Sequence, residues 1–115
     1  TDVRGGSFVG SRLFRTSFRH GQVAGADFRD AFLEWAVFDG TDVRGAVFTG
    51  AVLKFASFRD AVAAGLDLRG HDLTMTTWSG ADLRGTDFTG ANLSLCDLTK
   101  ADLRGADFTK VLCKS

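Results

Sequence analysis

Aspartate and arginine recur along this chain at fixed spacing, and they are the side chains best suited to chemistry. Asp stands at Asp2, Asp27, Asp42, Asp67, Asp72, Asp82, Asp87, Asp97, Asp102 and Asp107, and Arg often follows two residues on, as in Asp82/Arg84 and Asp102/Arg104. Paired carboxylates suit general acid–base work, and rows of arginine suit phosphate. Here the two types are spread evenly along the chain. The expected result is a solvated zwitterionic wall in which neighbouring turns of the chain neutralise one another, each exposed pair contributing ~0–1 kcal/mol. His20, His71, Cys96 and Cys113 are the remaining candidates for metal or nucleophilic chemistry. No Ser/His/Asp spacing, glycine-rich phosphate loop or zinc motif accompanies them. The expectation is therefore no catalytic residue, no cofactor, no metal and no disulfide: a non-enzymatic chain.

Composition narrows the classes further. The chain has 115 residues with 14 basic and 14 acidic side chains, so its formal net charge is zero. That leaves no basic excess to release counterions, and direct nucleic-acid binding is not expected. No apolar stretch approaches the ~18 residues of a membrane span, and no signal peptide opens the sequence. A cytoplasmic, membrane-free chain is the expectation. With 14 Gly, 11 Phe, no Pro and a single Glu, Glu34, it is a poor helix former.

The elements that carry these side chains follow from an internal repeat. Cut into fives from Thr1, the chain divides into 23 blocks with no remainder, and the third residue of every block is apolar, from Val3 and Phe8 to Phe108 and Cys113. At 44% apolar residues overall, this would occur by chance with a probability of about 10⁻⁸. The first residue is small except at Leu66, His71 and Val111. First and third positions, two apart, point to one side of a short extended segment, and a bend must follow before the next block. The number of blocks per turn comes from period 20. Gly5, Gly25, Gly45, Gly65, Gly85 and Gly105 all end their blocks, whereas the positions offset by ten read Arg15, Trp35, Phe55, Met75, Leu95 and Ser115. Aromatics at the third position alternate with aliphatics every five residues, large against small, as a narrow core requires. Four blocks per turn account for both patterns. The reading is a four-sided, all-β solenoid forming one domain over residues 1–115, its aromatic walls facing aliphatic ones.

The blocks ADLRG at 81–85 and 101–105 and ANLSL at 91–95 carry the motif Ala-(Asp or Asn)-Leu-x-x. In these blocks the chain resembles the pentapeptide-repeat proteins along its whole length. The resemblance implies a right-handed quadrilateral parallel β-helix with four pentapeptides per 20-residue coil, about 5.75 coils in all, with strands ~4.8 Å apart and a rod of roughly 28 Å. It implies that second, fourth and fifth positions face solvent. His20 and His71 then lie about 2.5 coils apart, ~12 Å along the axis, too far to share an ion. Cys96 and Cys113 fall at inward positions, where cysteine acts as a small hydrophobe.

Two features depart from the repeat. In blocks AVAAG, LDLRG, HDLTM and TTWSG, Ala63 shrinks a core position while Leu66 and His71 enlarge a small one. Volume compensation is expected there, with His71 bonded inside or leaning outward; a local distortion made for a partner is the sharper reading. The second feature is the corner column Trp35, Phe55, Met75 and Leu95, with Phe14, Phe32 and Val52 on the same wall. A contiguous apolar stripe at outward positions marks an interface. The chain also carries no helix or polar terminal coil at either end, and Thr1 stands where Met would begin a gene product, as in a fragment or a processed chain.

The function expected is a protein-interaction or scaffold module, its partner another protein or a second copy joined through the apolar column or the uncapped ends. The family resemblance supplies an alternative, a DNA mimic that binds DNA gyrase or topoisomerase IV in antibiotic resistance. A structural spacer or designed repeat is the third reading.

Overall fold

The computed structural model describes residues 2–114. Each block from 1–5 to 106–110 does the same thing: its second residue pairs with a neighbouring coil, its third turns toward the axis, and its fourth and fifth make the bend. Parallel bridges join residues twenty apart, from Asp2–Gln22 and Ser7–Asp27 to Asn92–Leu112, so one coil takes twenty residues. The result is a β-helical solenoid, with no helix among the described residues. Its overall extents are 32 × 22 × 19 Å. We number its walls by where their blocks start: wall 1 at 1, 21, 41 and onward by twenty, wall 2 at 6, wall 3 at 11 and wall 4 at 16.

The ladder accounts for nearly every backbone group. In the block at 26–30, Asp27 N–H donates back to Gly6 O at 2.8 Å, while Phe28 and Asp30 N–H donate forward to Val47 O and Thr49 O at 2.8 and 3.0 Å. Ala31 N–H closes the bend on Phe28 O at 3.1 Å. The bend requires a positive φ at the fifth residue, and every fifth position from Gly5 to Lys110 has one. Glycine adopts it without steric cost, which explains its preference for this position.

First and third positions form the core, as expected: Ala26, Phe28, Ala31, Leu33, Ala36 and Phe38 are fully buried. The aromatics pack differently from the sequence reading. Phe18, Phe38, Phe58 and Trp78 stack along wall 4 with centroids 4.1–5.0 Å apart, and Phe8, Phe28 and Phe48 stack along wall 2. The two columns also meet each other edge to face, as at Phe28–Phe38, 5.6 Å and 88°. Offset stacking within a column and T-shaped contact between columns are the favoured aromatic geometries. Leu68 interrupts the wall 2 column between Phe48 and Phe88.

The ladder is interrupted at the same level. Among the described residues, the bridges Val47–Asp67 and Val52–Asp72 are missing from an otherwise continuous series. N–H groups of Phe48, Gly50, Leu53, Asp67 and Asp72, and carbonyls of Ala46, Ala51, Asp67, Arg69 and Asp72, therefore find no protein partner. The break falls where Leu66 and His71 stand at first positions that are otherwise almost all small. Leu66 is buried beside Ala63, which is the expected volume compensation. His71 is bonded inside, its Nε2 lying 2.7 Å from Phe48 O of the neighbouring coil.

Candidate interaction surface

The charged residues form local pairs rather than a constellation. Arg84 Nη2 lies 2.7 Å from Asp82 Oδ2, and the same i, i+2 pairing joins Arg4–Asp2, Arg29–Asp27, Arg44–Asp42, Arg69–Asp67 and Arg104–Asp102 at 2.6–2.8 Å. The expected neutralisation between coils is corrected to neutralisation within blocks. Contacts from one coil to the next, such as Arg84–Asp102 and Arg69–Asp87, are longer, at 3.9 and 3.8 Å. The reason is that Asp also accepts the backbone N–H two residues on, as from Arg84 N at 3.2 Å and Thr89 N at 2.9 Å. This local turn aims the carboxylate along its own block. Hydrogen bonds from Arg4 and Arg84 hold Asp2 and Asp82 down to about 2. These aspartates build turns, a role the sequence reading missed although the D-x-R and D-x-T spacing signals it.

Among the described residues, no group of three or more His, Cys, Asp or Glu could hold a metal ion. Cys96 is half-buried, its thiol 2.9 Å from Leu73 O, and burial pushes it up from its ordinary value. Cys113 is corrected: it is exposed rather than in the core, because no coil beyond it within the described residues covers wall 3.

The apolar residues singled out in the sequence do lie together on wall 3. Trp35 and Phe55 stack with centroids 4.7 Å apart and planes 12° from parallel, and Phe14 stacks on Phe32 at 5.9 Å. Phe14, Phe32, Trp35, Met75 and Leu95 are exposed, with Leu95 the most open at 57%. Phe55 and Val52 are half-buried. Two cations border the column: the Arg15 guanidinium carbon is 5.4 Å from the Trp35 ring, and Lys54 Nζ is 5.9 Å from the Phe55 ring. On the same wall Glu34 Oε1 is buried without a hydrogen-bond partner. Leu112, exposed at the outward second position of the same wall, belongs with the stripe and was missed; its position in the repeat was the available signal.

The corner shares the positive φ of every other bend, but with bulky residues. Trp35, Phe55, Met75 and Leu95 hold φ of 63°, 67°, 59° and 60°, in the region that costs an ordinary L-residue ~1–2 kcal/mol. Bulky apolar side chains thus occupy bends where Gly serves on wall 1.

A parallel β-helix built from five-residue blocks defines a class of repeat protein, and comparison with known proteins agrees. The family described as Pentapeptide repeats matches in eight copies over residues 17–54, 44–76 and 79–112. The chain belongs to this family. Among solved structures it is similar to the pentapeptide repeat protein Rfr23 from the cyanobacterium Cyanothece 51142, with 22% identity and a TM-score of 0.50 over 88% of this chain. It is also similar to HetL from Nostoc sp. strain PCC 7120, involved in heterocyst differentiation regulation, at 26% identity, TM-score 0.39 and 96% coverage. A third is QnrB1, a plasmid-mediated fluoroquinolone resistance protein, at 20% identity and TM-score 0.43 over 98% of this chain and 84% of that one. The chain spans 63% of the length of Rfr23 and 59% of HetL. No curated protein sequence matches it. Among the described residues no helix is long and apolar enough to cross a membrane.

Proposed function

We propose that this chain is a right-handed pentapeptide rod that works as a non-enzymatic interaction module, docking a protein partner on the wall 3 stripe. One observation carries the reading: Trp35, Met75 and Leu95 are exposed large apolar residues at successive corners of one wall, with half-buried Phe55 stacked on Trp35 between them. Large apolar side chains left in water along one wall are a cost that burial against a partner removes. The four are already about half buried or more, so burying the remainder is worth ~3–6 kcal/mol, against ~4–15 kcal/mol for association, and Phe14, Phe32 and Val52 must contribute as well. Arg15 flanks the column, which favours a partner surface that is apolar at its centre and acidic where it meets Arg15; Lys54 is already paired with Asp72 at 3.8 Å.

The DNA-mimic alternative has less behind it. Acidic and basic residues balance at 14 each, and most wall carboxylates are bonded to Arg or Thr of their own block, so no wall presents a phosphate-like row of free charge.

Selection from a random peptide library tests the reading, with the Trp35→Lys/Phe55→Lys variant as the counter-selecting surface. Apolar–acidic peptides that bind the parent at least about tenfold more tightly than the variant support it. Absence of enrichment, or binders indifferent to the two substitutions, overturns it. Sedimentation velocity separates self-association: a dimer of the parent that the variant abolishes makes a second copy the partner.

A further inference from the structure

The break in the ladder between walls 2 and 3 is a cleft of about 510 Å³, lined by Thr49, Gly50, Arg69, Gly70, His71 and Asp72. Small-ligand sites span roughly 300–1,000 Å³. Its lips are backbone edges. The upper lip offers N–H groups of Phe48, Gly50 and Leu53 and carbonyls of Ala46 and Ala51; the lower offers N–H groups and carbonyls of Asp67 and Asp72. Gly50, Asp67, Arg69 and Asp72 are exposed, and open backbone edges of this kind are templates on which another chain can pair.

The side chains around the cleft narrow the occupant's chemistry. Asp67 is bonded to Arg69, and Asp72 accepts Thr74 and faces Lys54 Nζ of the upper lip at 3.8 Å. The charges are already matched, so an anion or cation gains nothing by entering. What stays open is donor and acceptor valence in the alternating register of a parallel sheet, and a peptide main chain matches that register on both sides. His71 adds a further open valence. Its Nε2 must donate to the Phe48 carbonyl, so in the neutral ring Nδ1 is an acceptor, and Nδ1 is buried without a partner. The opening has fixed ends, because Val43 N–H still reaches Val62 O at 2.9 Å and Phe55 N–H reaches Thr74 O at 3.1 Å.

We propose that this cleft binds an uncharged, extended stretch of peptide, about two or three residues long, through main-chain hydrogen bonds to both lips. Leu66 and His71 are the wedge that keeps the site open. The cleft is distinct from the Trp35–Leu95 column, and the two sites stand or fall separately.

The test is a titration of isotopically labelled protein with the blocked tripeptide acetyl-Ala-Val-Ala-amide, followed by amide NMR. Saturable shifts centred on Phe48, Gly50, Leu53, Asp67 and Asp72 are expected. Leu66→Ala/His71→Ala restores small inward residues and lets the missing rungs close, which should weaken binding at least about tenfold. No saturable shift by about 10 mM peptide, or equal binding to this variant, overturns the proposal. Should the variant not fold, the same peptide methylated at its amide nitrogens serves instead: it should bind the parent at least about tenfold more weakly, and equal binding is again fatal. In the free protein those five amides should exchange with solvent faster than Phe28 and Phe88 N–H on wall 2. Equal protection means a closed ladder and no site.

Discussion

The indole Nε1 of Trp78 donates to the Thr76 hydroxyl at 2.8 Å, and Thr76 in turn donates to Leu73 O at 2.8 Å. Both residues are buried, at the first and third positions of one block. The repeat places a Phe at most third positions of wall 4, and Trp is admitted here because the small residue two before it is Thr. Replacing Thr76 with Val keeps the volume and leaves the indole N–H unpaired, so Thr76→Val should cost ~1–3 kcal/mol. Trp78→Phe added to Thr76→Val should recover much of that loss in urea melts. An additive double-variant cycle would mean that the hydrogen bond carries no coupling energy.

Phe48 and Arg84 show how unevenly stability is distributed between core and wall. Phe48 is 1% exposed, stacked on Phe28 at 5.3 Å and edge-on to Phe38 at 5.9 Å. Phe48→Ala opens a cavity that the flanking coils cannot close and should cost ~3–5 kcal/mol. Arg84→Ala removes one exposed pair and should cost under ~1 kcal/mol. Equal losses for the two in denaturant melts would invert the assignment of inside and outside.

The architecture was legible because a five-residue period with an apolar third position allows few chain paths, and Gly at every twentieth residue marks one corner. The placement of the wall 3 residues was legible for the same reason: the repeat assigns Phe32 and Trp35 outward positions, where they stack on Phe14 and Phe55 yet stay exposed. The details that escaped depend on contacts between coils. Nothing in LDLRG and HDLTM alone says that the ladder breaks where Leu66 and His71 stand, since either could have been absorbed by the small Ala63. The turn-building role of Asp2 or Asp82 escaped because an Asp–Arg pair reads first as a salt bridge, and only geometry shows the backbone N–H in the same carboxylate's reach.

That geometry gives the rod a defined acid response. Asp2 and Asp82 are lowered from 3.8 to about 2, and Asp27, Asp42, Asp67 and Asp102 are lowered from the same starting value, each chiefly by its Arg side-chain hydrogen bond. A carboxylate depressed in the native state binds fewer protons there than in the unfolded chain, so its contribution is complete above 3.8 and disappears as pH falls towards about 2. Urea midpoints should therefore decline across that window. Asp82→Asn/Asp102→Asn should flatten the decline without losing the turn, since Asn92 already makes the same bond to Ser94 N at 3.0 Å. An unchanged slope would assign the acid sensitivity to other groups.

Leu95 separates an interface residue from one that merely folds back over its own wall. It is 57% exposed with φ of 60°, while its neighbour Leu93 is 3% exposed and points inward. Three terms act on Leu95→Gly. Release of the left-handed strain stabilises by ~1–2 kcal/mol; the greater freedom of Gly in the unfolded chain costs ~0.5–1 kcal/mol; the partly buried side chain forfeits about half of a full leucine's ~1.5–3 kcal/mol. These nearly cancel, so Leu95→Gly should change stability by less than ~1 kcal/mol. Leu93→Ala, with no strain to release, should cost ~2–5 kcal/mol. A Leu95→Gly loss approaching that of Leu93→Ala would make the corner leucine part of the core and remove it from the docking stripe. A near-neutral effect leaves burial against a partner as the role for its side chain.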